Sequence, residues 1–147
     1  MELRELDLPT METGAPMPQI LAEEGRLVLG YFLNEGVEDE ACAIFKADHY
    51  RAFKFGPPND EALSGHPYYD KGLGYYGVYE VLHSDWIAEL EVANRVHSRH
   101  LPDLFLADRH FVFTFHDTTF ELIAHDVHYT LGRGGPLKQI IEIFQND

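Results

Sequence analysis

The chain has 147 residues and a formal net charge of −14, from 11 basic and 25 acidic side chains. Its size suits one domain with a core that needs no covalent staple, and 45% hydrophobic with 24% charged residues is ordinary globular composition. The charge argues against nucleic acid or an anionic membrane surface as partner, since both are bound through clustered Lys and Arg, and the single cysteine, Cys42, rules out an internal disulfide.

The first residues, MELRELDLPTMETG, lack a basic region followed by an apolar stretch. No apolar run approaches the roughly 20 residues that span a bilayer, so a cytoplasmic location is expected. Residues 1–18 are mixed in character and carry three prolines, which predicts a loosely ordered leader before a single α+β domain over 19–147.

Residues 19–22 and 26–33 flank Glu23-Glu24-Gly25 and predict a hairpin. Asn34-Glu35-Gly36 is turn chemistry. Residues 40–46 and 49–55 read as two further strands. Gly56-Pro57-Pro58 ends them, because proline cannot donate to a ladder. Asn59 then caps a short helix over 60–63. Residues 64–74 form a loop rich in Gly and Tyr, and residues 75–83 a strand. Gly72-Leu73-Gly74-Tyr75-Tyr76-Gly77 matches the dinucleotide-binding fingerprint by letter. That fingerprint needs a strand before it and a helix after it, so these glycines are read as turn residues.

Ser84 is placed to cap a helix running to about His97, with Trp86, Leu90, Ala93 and His97 on its apolar face and a Glu91–Arg95 pair on its outer face. A C-terminal helix is expected over about 136–145, opened by Pro136.

The stretch from Arg109 to His125 carries the strongest pattern. Phe111, Phe113 and Phe115 alternate with His110, Val112, Thr114 and His116, and Phe120, Leu122 and Ala124 alternate with Thr119, Glu121, Ile123 and His125. Opposing Phe115 to Phe120 sets six apolar side chains on one face. The same register sets His110 opposite His125 on the other face, close enough for two imidazoles to share one divalent metal ion. Glu121 and His116 are candidate bases on that face, with Glu121 too far along the strand to reach the ion. His97-x-x-His100 and His125-x-x-His128 are weaker metal patterns. A second candidate site lies on the long loop, where Asn59, His66, Tyr68, Tyr69, Tyr75 and Tyr76 could line a ligand pocket.

These readings predict a mainly antiparallel α+β fold, a sandwich or a barrel-like sheet with one central and one C-terminal helix. Three functions follow from them. The first is a module that binds a small molecule or protein in a Tyr/His-lined pocket. The second is a metal-assisted hydrolase or isomerase centred on His110 and His125, with His116 or Glu121 as base. The third is an acidic interaction domain that docks a basic partner.

Overall fold

The computed structural model describes residues 1–34 and 40–146, in which two antiparallel sheets lie face to face as a sandwich that does not close into a barrel. In chain order the elements are β1 (Glu2–Glu5), β2 (Gln19–Glu23), β3 (Arg26–Phe32), β4 (Cys42–Asp48), β5 (Ala52–Gly56), β6 (Val78–Leu82), α1 (Asp85–Asn94), α2 (Pro102–Leu106), β7 (Arg109–Thr114), β8 (Thr119–Ala124), β9 (His128–Gly132) and α3 (Pro136–Asn146). Two 3-10 turns, Asp60–Gly65 and Tyr69–Lys71, occupy the long loop before β6. One sheet runs β1-β6-β7-β8-β5 and the other β2-β3-β4-β9. Among the described residues no helix is long and apolar enough to cross a membrane.

Period-two alternation builds the core. Leu27, Leu29 and Tyr31 of β3 and Ala43, Phe45 and Ala47 of β4 face Phe111, Phe113, Phe120, Leu122 and Ala124 of β7 and β8 in one buried cluster. The alternate residues of the smaller sheet, Val28, Cys42 and Ile44, face outward and are covered by Ile140, Ile143 and Phe144 of α3. The molecule is therefore layered as helix, sheet, sheet, and a cover of turns and α1.

Gly30 sets the spacing of the α3 layer. A Cβ there would stand 2.7 Å from the Pro136 Cβ and 2.8 Å from the Ile44 Cδ1. Gly30→Ala is expected to cost about 1–3 kcal/mol by forcing α3 off the sheet, measured as a lower urea midpoint at unchanged slope.

Several expectations are corrected here. The leader expected to be loose supplies β1, which pairs with β6, and Met11, which is fully buried in the core. Strands β4 and β5 go to different sheets, β5 pairing with β8. Phe53 is 38% exposed because β5 is an edge strand. Helix α1 stops at Asn94, and Ala93 and His97 are exposed. Its inward positions are Ile87 and Glu91. Glu91 is not on the outer face, yet it still pairs with Arg95 Nε and Nη2 at 2.7 and 2.9 Å. Helix α2 and strand β9 have no counterpart in the sequence reading. The turn expected at Asn34-Glu35-Gly36 extends outside the described residues.

The 109–125 hairpin forms, with its six apolar side chains on the inner face as expected. Its register differs by two residues from the one read off the sequence. Phe113 opposes Phe120, Phe111 opposes Leu122, and His110 opposes Ile123. The strands end at the Thr114–Thr119 pair, leaving a four-residue loop closed by Phe115 N–H donating to Thr118 O at 2.9 Å.

Candidate functional site

The outer face of the larger sheet carries His110 on β7 and Glu121 on β8. Glu121 opposes Val112, so it is the diagonal neighbour of His110 on the same face. The long loop and the start of α1 close over both. His66 follows the turn capped by Asn59, whose Oδ1 accepts from Ala62 N–H at 3.0 Å. Ser84 follows β6 and caps α1, its Oγ accepting from Ile87 N–H at 3.2 Å.

These four side chains make one buried chain of hydrogen bonds. His110 Nε2 lies 2.7 Å from Glu121 Oε1, and His66 Nε2 lies 3.1 Å from Glu121 Oε2. Ser84 Oγ lies 2.7 Å from His110 Nδ1. His66 Nδ1 faces the backbone N–H of Tyr68 at 3.0 Å. That N–H can only donate, so Nδ1 accepts and Nε2 carries the proton given to Glu121. An ionised Glu121 can only accept, so His110 Nε2 also carries a proton, and in the neutral ring Ser84 Oγ–H donates to Nδ1. The chain thus runs in one direction from Ser84 through His110 to Glu121, with His66 donating from the other side.

His110 is fully buried, and His66, Ser84 and Glu121 are nearly so. Burial alone pushes the Glu121 carboxyl up, but the hydrogen bonds from His110 and His66 outweigh it and bring the group down to about 2. Aromatic rings wall the chain. Trp86 and Tyr68 stand edge-on to His110 at 5.3 and 5.7 Å. Burial pushes the Tyr68 hydroxyl up to about 12, helped by the charges of Glu121, Asp85 and Glu89.

Of this chain, Ser84 lines a surface cleft. The cleft has a volume of about 470 Å³ between β6, α1 and α2. Its apolar walls include Val81, Ile87, Ala88 and Leu106. Glu80 at its rim is neutralised by Arg109, whose Nε and Nη2 donate at 2.8 and 3.0 Å, and by Arg4. Asp108 is paired with Arg51 at 2.5 Å. Two hollows of similar size, about 500 and 460 Å³, lie against the leader, and neither is lined by a histidine.

The residues expected to form sites are only partly brought together. His66, Tyr68, His110 and Glu121 converge. Tyr69, Tyr75 and Tyr76 form a separate ladder, with ring centroids 6.5 and 6.1 Å apart. That ladder ends where Tyr76 donates to Asp60 at 2.6 Å, and His116 Nδ1 lies 2.8 Å from the same carboxylate. The hydroxyl of Tyr76 is the first influence holding the Asp60 carboxyl below its ordinary value. Asn59 is exposed and acts as a cap.

His125 does not oppose His110. It is exposed past the end of β8, while His110 turns inward to Glu121 and Ser84. Glu121, thought out of reach, is instead the group both buried imidazoles share. His97 and His128 are also exposed, and His100 is held by Asn94 at 2.9 Å. Among the described residues, no group of three or more His, Cys, Asp or Glu is arranged to hold a metal ion. Gly72 of the rejected fingerprint sits at a turn with φ of 105°.

Ser84 was read only as a helix cap. The signal that could have singled it out is its position at a strand-to-helix junction three residues beyond Val81, the residue that opposes His110. No family model, curated protein or solved structure matches the chain.

Proposed function

We propose that the protein is a binding domain whose small-molecule ligand occupies the cleft between β6, α1 and α2. One observation carries this reading: Ser84, the end of the buried chain with His110, Glu121 and His66, lines the cleft. Buried polar chains are costly unless every member is satisfied, and this one is satisfied except for the hydrogen-bonding capacity Ser84 can still offer at the cleft. No residue of the tyrosine-rich loop lines this pocket.

The lining sets the class of ligand. Glu80 and Asp108 already have cationic partners, and Asp85 at the start of α1 adds a further negative charge. With a net charge of −14, the surroundings repel anions. A ligand with an apolar body and a neutral or cationic polar end fits this lining. Benzyl alcohol and benzylamine are suitable probes. Their backbone amide shifts, followed by NMR, are expected to saturate and to cluster on Ser84, Ala88, Leu106 and Arg109.

Ala88→Phe fills the cleft from the exposed side of α1 and is expected to weaken both probes by at least about tenfold, a loss of about 1.4 kcal/mol, without unfolding the chain. Shifts that instead gather on the hollow beside Leu8 and Tyr129 would sink the reading.

A further inference from the structure

We infer that Ser84 is a nucleophile that accepts an acyl group from a small uncharged ester seated in the cleft, with His110 as its base and Glu121 positioning that base. The inference rests on the cleft being the binding site. Its core is the continuous pair of 2.7 Å contacts, Ser84 Oγ to His110 Nδ1 and His110 Nε2 to Glu121 Oε1. A hydroxyl, an imidazole and an ionised carboxylate joined in that order are the parts by which a serine becomes nucleophilic near neutral pH. The ring is turned over relative to the usual arrangement, in which Nε2 faces the serine. Either imidazole nitrogen can take the proton, provided the other donates to the carboxylate, as here.

A second observation is independent of the hydrogen bonds. His83, directly before Ser84, has φ of 57° and so adopts the left-handed region that a non-glycine residue rarely enters. The chain turns sharply from β6 into α1 at the residue that presents the hydroxyl. Strain of this kind persists where surrounding structure imposes it, and it gathers at functional sites.

The step balances without any co-reactant. A lone pair of Ser84 Oγ forms the bond to the ester carbonyl carbon, and the hydroxyl proton moves to His110 Nδ1. The carbonyl π electrons move to oxygen. Their charge is met by the N–H groups of Asp85 and Trp86, which open α1 and have no acceptor four residues back. The carbonyl re-forms as the carbon–oxygen bond to the leaving alcohol breaks. The alcohol departs with that electron pair and takes the proton from Nδ1. Throughout, His110 Nε2 keeps its proton and donates it in the hydrogen bond to Glu121 Oε1.

Burial sets the kinetics. His110 is fully shielded from solvent. Water therefore reaches Nδ1 poorly once the acyl group is in place, and deacylation is slow. Acylation should appear as one rapid equivalent per chain, followed by slow turnover.

The test uses the full chain and p-nitrophenyl acetate. The expected result is a burst approaching one p-nitrophenolate per chain, with the acetyl group mapped by peptide mass spectrometry to Ser84. The burst should vanish in Ser84→Ala and slow at least about tenfold in Ala88→Phe. Acetyl groups on lysine, tyrosine or other histidine side chains with Ser84 unmodified would overturn the inference. So would an undiminished burst in a folded Ser84→Ala chain. If Ser84→Ala does not fold, the wild-type peptide map decides alone. Clustered benzyl alcohol shifts without acetylation of Ser84 would overturn the nucleophile and leave the binding reading standing. Absence of those shifts from the cleft would overturn both.

Discussion

Replacing Glu121 with glutamine is expected to lower the stability of the folded chain by about 3 kcal/mol. The carboxylate accepts from two buried ring nitrogens, His110 Nε2 at 2.7 Å and His66 Nε2 at 3.1 Å. Glutamine offers one oxygen and one NH₂ group. With the amide oxygen toward His66, the NH₂ group faces the His110 Nε2–H, and the clash is relieved only if His110 moves its proton to Nδ1 and reverses the bond to Ser84 Oγ. His66 cannot relieve the conflict by changing tautomer, because the Tyr68 N–H occupies its other nitrogen. The urea midpoint should fall at unchanged slope. A loss below about 1 kcal/mol would mean that the imidazoles are satisfied without the carboxylate, and the directed chain from Ser84 would have to be redrawn.

The same group gives the acid limb of stability its sign. The Glu121 carboxyl is brought from an ordinary value of 4.5 down to about 2 in the folded chain. A depressed folded value means that the stabilisation is fully present above the unfolded value. It is lost as pH falls from about 4.5 through about 2. A shift of this size corresponds to about 3 kcal/mol, the same order as the substitution. Glu121→Gln should therefore flatten stability against pH across that window, while both proteins converge at its lower end.

The sequence revealed which faces are buried more readily than which residues meet. The alternation over 111–124 fixes parity, and a two-residue slip preserves parity, so the same six side chains point inward in either register. What selects between the registers is not in the hairpin. Asp60 N–H donates to His116 O at 2.9 Å, and Phe115, although in the loop, packs on Tyr31 with ring centroids 5.2 Å apart. Both partners come from distant segments, so no local pattern could report them. The slip then replaces His125 by Ile123 opposite His110 and makes Glu121 the diagonal neighbour. The members of the site were visible one at a time: Ser84 as a cap, His66 on the loop, His110 and Glu121 on the hairpin. Their meeting depends on β6 pairing with β7, which sets Val81 against His110 and delivers Ser84 to the same face. Glu91 was misread for a related reason. A charged residue was assigned to solvent, yet Arg95 makes its burial tolerable by a two-point ion pair.

Phe113→Ala should be the most damaging single truncation, at about 4 kcal/mol, because it removes the ring that joins the two sheets. Phe113 is fully buried. It meets Phe45 of β4 at 5.2 Å and Tyr31 of β3 at 6.2 Å across the sandwich, and Phe120 of β8 at 5.7 Å beside it. These three neighbours are fixed in strands, so the hole collapses poorly, and the cost includes the void as well as the lost transfer energy. Phe55 provides the control. It also touches Phe120, at 6.4 Å, but it lies on edge strand β5 and is 45% exposed. Phe55→Ala leaves space that water fills, and about 1 kcal/mol is expected. Urea unfolding of the two variants separates ring contact from enclosure. Equal losses would mean that the Phe120 contact common to both rings sets the energy. A fourfold difference would mean that enclosure between two rigid sheets does, and the same enclosure holds His110 and Glu121 in register on the other side of β7 and β8.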